Sequence, residues 1–166
     1  MTTKKNYSLL LILPRVQQGQ SSVTHKGKLS PPPLSLPYIA SLTPKNFEVS
    51  IVDENVNDID FEKSVDIVGI SVITMAAPRA YQIAHQFKGQ GKTVVLGGIH
   101  PSMLPKEASK HADAIVIGEG EGIWQKLLMD FQRGKMEKIY KRGNLCNLKG
   151  LPYPRWELTK KDDYFM

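Results

Sequence analysis

Apolar residues along this chain fall in short blocks. Each block is followed by turn residues and then by a stretch with helical spacing. Residues 8–13 (Ser-Leu-Leu-Leu-Ile-Leu) run without alternation, as expected of a strand covered on both faces. Residues 47–52, 67–72, 93–96 and 114–117 repeat that character. The spacing between the blocks predicts a helix over residues 34–42, with Leu34, Tyr38 and Ile39 on one face and Pro37 tolerated in the first turn. A second helix covers residues 80–88, placing Tyr81, Ala84 and Phe87 against the sheet, and Gly89-Gln90-Gly91 ends it. A short helix opens at Pro105 and reaches about His111, and residues 123–131 carry Trp124, Leu127, Leu128 and Phe131 on one stripe. Residues 57–64 hold no more than a helical turn. Five strand-then-helix units in a row predict an α/β fold: a doubly wound, five-stranded parallel sheet with right-handed crossovers and the expected order 2-1-3-4-5.

Two stretches lie outside this alternation. Residues 14–30, rich in Gln, Ser, Lys and Gly, form an unusually long loop after the first strand, closed by Pro31-Pro32-Pro33. From Gly134 the pattern breaks. Residues 135–140 read either as one more strand or as an edge extension. Residues 151–158 are pinned by Pro152 and Pro154, carry Tyr153 and Trp156, and read as an extended strap. The chain therefore divides into an α/β domain over residues 1–133 and an extension over residues 134–166, as if a further domain should follow.

Charge sharpens this division. Of the net +6, residues 131–166 contribute nine Lys/Arg against four Asp/Glu, and residues 1–130 thirteen against twelve. The basicity sits in the extension and not on one face of the body, which argues against a nucleic-acid partner. No run approaches the roughly 18 apolar residues of a membrane span. The apolar run after Lys4-Lys5 stops at Pro14 with no small-residue cleavage site, so it reads as a core strand and not a leader. Cys146 is the only cysteine, which excludes an internal disulfide and any multi-cysteine zinc or iron–sulfur site within the chain, and fits a cytoplasmic setting.

Candidate chemistry gathers where strands three, four and five leave the sheet. Those exits carry Ser71 with Thr74, Gly97-Gly98 followed by His100, and Gly118-Glu119-Gly120-Glu121-Gly122. Ligands of open α/β sheets bind beyond the carboxyl ends of the strands, and bare backbone there permits close approach. The three exits together predict a slot for a flat or elongated ligand, with the double glycine Gly97-Gly98 at its floor. The glycine-rich run lacks phosphate-loop spacing and carries two carboxylates, so a dinucleotide or ATP site is disfavoured. His85 and His111 read as surface residues, and no Ser-His-Asp, His-Glu-x-x-His or paired-acid arrangement forms a complete active site.

The ordered set of Pro31-Pro32-Pro33-Leu34-Ser35-Leu36-Pro37-Tyr38, Val52-Asp53, the strand from Asp66 to Ser71, Gly97-Gly98-Ile99-His100-Pro101-Ser102, and Ala112-Asp113 leading to Gly118-Glu119-Gly120-Glu121 resembles the amino-terminal cobalamin (B12)-binding domain of B12-dependent radical SAM proteins. Residues 151–156 resemble the linker before the radical SAM barrel. The resemblance covers nearly the whole chain. It implies a flavodoxin-like, Rossmann-like metal-binding module that holds cobalamin at the carboxyl edge of the sheet. The cofactor's tail would lie near Ser71, Gly97, Gly98, Gly118, Glu119 and Gly120, and its corrin above Thr74 and Met75, with His100 at the same edge. It further implies a partner domain bearing S-adenosylmethionine and a [4Fe–4S] cluster, in cis or in trans, and methyl transfer or related radical chemistry.

Two departures matter. The Asp-x-His-x-x-Gly pattern of methionine-synthase-type domains is replaced here by Pro14-Arg15-Val16-Gln17-Gln18-Gly19, which leaves His25 as a candidate substitute cobalt ligand. The cluster-binding cysteines are absent, so the chain alone is a binding module and not an enzyme. The competing readings are a receiver-like signalling domain, a flavodoxin-like redox protein, and an interaction domain that has lost its ligand. The first lacks the acidic pair expected after strand one.

Overall fold

The computed structural model describes residues 6–16, 32–143, 149–160 and 164. Its first strand, β1 (Tyr7–Leu13), lies between β2 (Phe47–Asp53) and β3 (Ile67–Ser71). β4 (Thr93–Gly97), β5 (Ala114–Ile117) and β6 (Ile139–Lys141) follow outward from β3, giving the order β2-β1-β3-β4-β5-β6, parallel throughout. The expected order holds for the first five strands, but among the described residues the sheet has six. β6 pairs with β5 through Ile115–Ile139, Val116–Tyr140 and Ile117–Lys141. Of the two readings left open for residues 135–140, a further strand is the one observed. Three residues carry too little apolar periodicity to announce a strand, and this one is recruited by burial of Tyr140.

Alternation along each strand divides the core. Leu10, Ile12, Val68, Ile70, Val94 and Leu96 face a layer headed by α2 (Ala77–Gly89), where Ala80, Ile83, Ala84 and Phe87 are buried. Leu9, Leu11, Ile67, Val95 and Val116 face the opposite layer of α1 (Ser35–Ser41) and α5 (Ile123–Gln132). Pro78 in the first turn of α2 starts the helix earlier than the apolar stripe suggested. In α1 the buried residues are Leu36, Pro37 and Ala40, while Leu34 is 57% exposed, so the expected Leu34 face is corrected. A seven-residue helix offers two plausible apolar stripes, and the docking against β1 and β2 selects between them.

Residues 99–103, read as loop, form α3 (Ile99–Met103). It is followed by α4 (Pro105–Ala108), which ends before His111. The strap contains a 3-10 turn at Trp156–Leu158 and is held to the body by Arg155 N–H donating to Pro37 O at 2.9 Å. The Tyr164 hydroxyl donates to buried Asp53 at 3.0 Å. Cys146, His25 and the long loop beyond residue 16 lie outside the described residues. Among the described residues no helix is long and apolar enough to cross a membrane.

Candidate functional site

On the α1/α5 face of the sheet, side chains disappear toward the carboxyl edge. Ile67 is followed at its own face by Gly69 and Ser71, Val95 by Gly97, and Val116 by Gly118. The missing side chains leave a cavity of about 80 Å³, roofed by Leu36 and Ile39 of α1 and Trp124 of α5, and open at the carboxyl edge. A methyl group placed on Gly97 would meet only Val116 Cβ at 3.9 Å, and one on Gly118 nothing within 4 Å. Both glycines therefore face open space. Gly69 marks the inner end, where a Cβ would come within 2.9 Å of Leu11 Cδ2 and 3.3 Å of the Trp124 ring.

Strand pairing explains the opening. β3 and β4 stay in register over five pairs, from Ile67–Thr93 to Ser71–Gly97. β4 and β5 pair only at Val95–Ala114 and Leu96–Ile115. Beyond Leu96, β4 keeps to the β3 side, with Val72 N–H donating to Gly97 O at 2.8 Å.

Gly98 differs from its neighbour. Its φ of 101° and ψ of −168° belong to a region that side chains essentially never occupy. A Cβ there would lie 2.9 Å from both N and O of Val72. Gly98 backbone borders the cavity, but the glycine is required by the β3–β4 crossing and not by the space in front of it. Of the double glycine expected at the slot's floor, Gly97 faces the open space and Gly98 borders the cavity through its backbone.

Other expected residues scatter. Thr74 and Met75 stand exposed in a 3-10 turn outside the cavity, Met75 at 65%. With Ile73, Ile99 and Met103, Met75 forms an exposed apolar rim at the carboxyl edge. Gly120 lines the cavity and Glu119 does not. Glu121 is buried and accepts from the Tyr38 hydroxyl at 2.6 Å. His100 is 2% exposed and does not line the cavity. Its Nε2 lies 2.7 Å from the Tyr81 hydroxyl on α2, and that hydroxyl donates to Glu107 at 3.0 Å. Burial and Glu107 push the Tyr81 phenol well above its usual range. His85 is exposed as expected, but His111 is half-buried, stacked on Tyr81 with ring centres 3.8 Å apart. Burial, reinforced by His85, lowers the His111 pKa.

Residues 21–128 match the family model described as B12 binding domain. The chain belongs to the B12-binding domain family. The domain is 40% identical over 145 residues to bacteriochlorophyllide d C-12(1)-methyltransferase of Chlorobaculum tepidum, covering 86% of this chain and 31% of that protein. It is 44% identical over 108 residues to bacteriochlorophyllide d C-8(2)-methyltransferase of the same organism, covering 64% of this chain and 24% of that protein. An uncharacterized methyltransferase of Pyrococcus horikoshii is 28% identical over 188 residues, covering 96% and 40%. The B12-binding domain thus spans between a quarter and two fifths of these relatives.

The slot suits an inserted cofactor tail in kind. Its sheet side combines glycine backbone with Leu11, Ser71, Val95 and Val116, its roof is apolar, and no charged side chain lines it. Its enclosed volume of about 80 Å³ is of the size of the edge of a ring system and too small for a macrocycle. Among the described residues, no group of three or more His, Cys, Asp or Glu is placed to hold a metal ion, and no histidine lines the slot.

Three features escaped the sequence reading. Gly69 was legible in principle, two residues before Ser71 and so on the same face. Trp124, read only as core, also roofs the slot and donates to Thr43 Oγ1 at 2.9 Å. Glu54, buried at the end of β2, accepts from Arg79 Nε at 2.8 Å and from Arg15 N–H at 3.1 Å, joining the exits of β1 and β2 to α2. Sequence separation conceals that contact.

Proposed function

We propose that this B12-binding domain holds cobalamin at the carboxyl edge of its sheet as the cofactor-carrying module of a longer methyltransferase, and that a radical SAM domain, in cis or in trans, completes the enzyme. The observation that carries this reading is the row of absent side chains at Gly69, Gly97 and Gly118, closed over by Leu36, Ile39 and Trp124. These residues would receive the nucleotide tail. Main-chain groups and the Ser71 hydroxyl supply hydrogen bonds there, and the apolar roof excludes water. Ile73, Met75, Ile99 and Met103 would lie against the macrocycle, alongside Thr74.

Bound cobalamin supplies a cobalt centre able to carry a methyl group. Within the described residues no histidine is available to that centre from the slot. His100 is committed to Tyr81, and Pro14-Arg15-Val16 follows β1. The methyltransferase assignment draws on the names of the relatives, as does the substrate class proposed for the longer protein, a tetrapyrrole of the bacteriochlorophyllide kind. S-adenosylmethionine and an iron–sulfur cluster would belong to the partner domain, because one cysteine cannot hold a cluster.

Titration of the 166-residue chain with hydroxocobalamin, followed by its visible spectrum, tests the reading. Saturable binding with a spectrum lacking histidine ligation is expected. No binding at tens of micromolar would sink the proposal.

A further inference from the structure

We propose that Ser102 is a positioning residue that sets the width of the slot's mouth and so governs admission of the cofactor's nucleotide tail, a role that rests on the cobalamin reading above. β4 and β5 separate after Leu96 and Ile115, and the slot lies in that separation. At the outer end the two strand exits are rejoined through one side chain. Ser102 Oγ accepts from Gly118 N–H at 2.8 Å and donates to Gly98 O at 2.8 Å. A hydroxyl has one proton to give and lone pairs to receive, so a single serine makes both bonds at once.

The residues it joins need such a tie. Gly98 and Gly118 have φ of 101° and 80°, and glycine at such positions has more conformational freedom than any other residue. Ser102 is itself delivered from a fixed base. It sits on α3, whose His100 is buried against Tyr81 and whose backbone is tied to β3 by His100 N–H donating to Val72 O at 3.0 Å. Hydrogen bonds thus link three strand exits, from Val72 to Gly97 and His100, and from Gly98 through Ser102 to Gly118. Loss of the hydroxyl breaks the last of these links and lets the β5 exit move relative to β4.

The test separates the tail from the rest of the corrinoid. Wild type, Ser102→Ala and Ser102→Thr are titrated with hydroxocobalamin and with cobinamide, which lacks the nucleotide tail, and melting is recorded in parallel. Ser102→Ala is expected to weaken cobalamin binding about tenfold, the scale of one or two hydrogen bonds, while leaving cobinamide binding unchanged. Ser102→Thr keeps the hydroxyl and should restore cobalamin affinity. Unaltered cobalamin binding by Ser102→Ala overturns the proposal. So does an equal loss for both corrinoids, which would mark a general loosening of α3. Wild type binding cobinamide as tightly as cobalamin would also overturn it, because the tail would then contribute nothing. Failure of wild type to bind cobalamin at all would show before any variant was made, and would remove the cobalamin reading and this inference together.

Discussion

Replacing Gly97 with leucine should close the slot without unfolding the sheet. The added Cβ points into open space, 3.9 Å from Val116 Cβ, and Gly97 needs no positive φ. Leucine brings four carbons into a cavity of about 80 Å³. At about 0.8 kcal/mol per buried methylene the burial is worth up to ~3 kcal/mol. Overpacking opposes it by about 1–3 kcal/mol. Stability should therefore stay within about 2 kcal/mol of wild type, measured by urea denaturation. Hydroxocobalamin affinity should fall by at least about 100-fold, equivalent to ~2.8 kcal/mol of binding free energy, because the tail and the leucine need the same space. Gly97→Ala, a single methyl in ordinary contact, should weaken binding only a few-fold. Gly98→Ala serves as the contrast: its Cβ meets the Val72 backbone at 2.9 Å, so about 1–3 kcal/mol of stability should be lost whether or not ligand is present. A folded Gly97→Leu protein with wild-type cobalamin affinity would refute the placement of the tail.

Three further outcomes are expected. Glu54→Ala leaves Arg79 without its buried partner and should cost about 3 kcal/mol, read as a lower urea midpoint; an unchanged midpoint would show the pair to be neutral. His111 has a pKa held below its ordinary value by burial and by His85, so the folded chain resists the proton that the unfolded chain accepts. Stability should therefore fall as pH drops below about 6.5 and level off beneath the depressed folded value. His111→Phe, which keeps a ring on Tyr81, should flatten that part of a pH series of denaturation midpoints. Trp124→Phe removes the bond to Thr43 Oγ1 while keeping an aromatic roof, and should lower stability by about 1 kcal/mol in the same assay.

The parts of the fold that could be read in advance share one property: they depend on local pattern. Residues 9–13 and 67–70 declare buried strands because no polar side chain interrupts them, and Ala84 and Phe87 fall on the buried side of α2 because helical spacing places them there. Elements too short to show a period are left open by the sequence or missed. β6 is three residues long, and α3 is five residues with Pro101 at its middle. In the seven-residue α1 the spacing points to a face through Leu34, whereas packing buries Leu36, Pro37 and Ala40.

The candidate site divides along the same line. Glycines and hydroxyls at three strand exits were visible as residue types, and strand alternation alone would have added Gly69. What each one faces depends on neighbours far along the chain. Gly97 and Gly98 look equivalent in sequence, yet one opens onto the slot and the other is pressed against Val72. His100 lies two residues beyond Gly98 and still belongs to the other layer, beside Tyr81.

By itself, then, the sequence determined where strands run, that they alternate with helices, and where backbone is left bare, because these follow from period and from the absence of a Cβ. Tertiary structure decided that β4 and β5 part after two pairs, that α1 and α5 roof the gap, and that Ser102 rejoins its rim. Those outcomes are set by register and packing between segments distant in sequence, which no local pattern encodes.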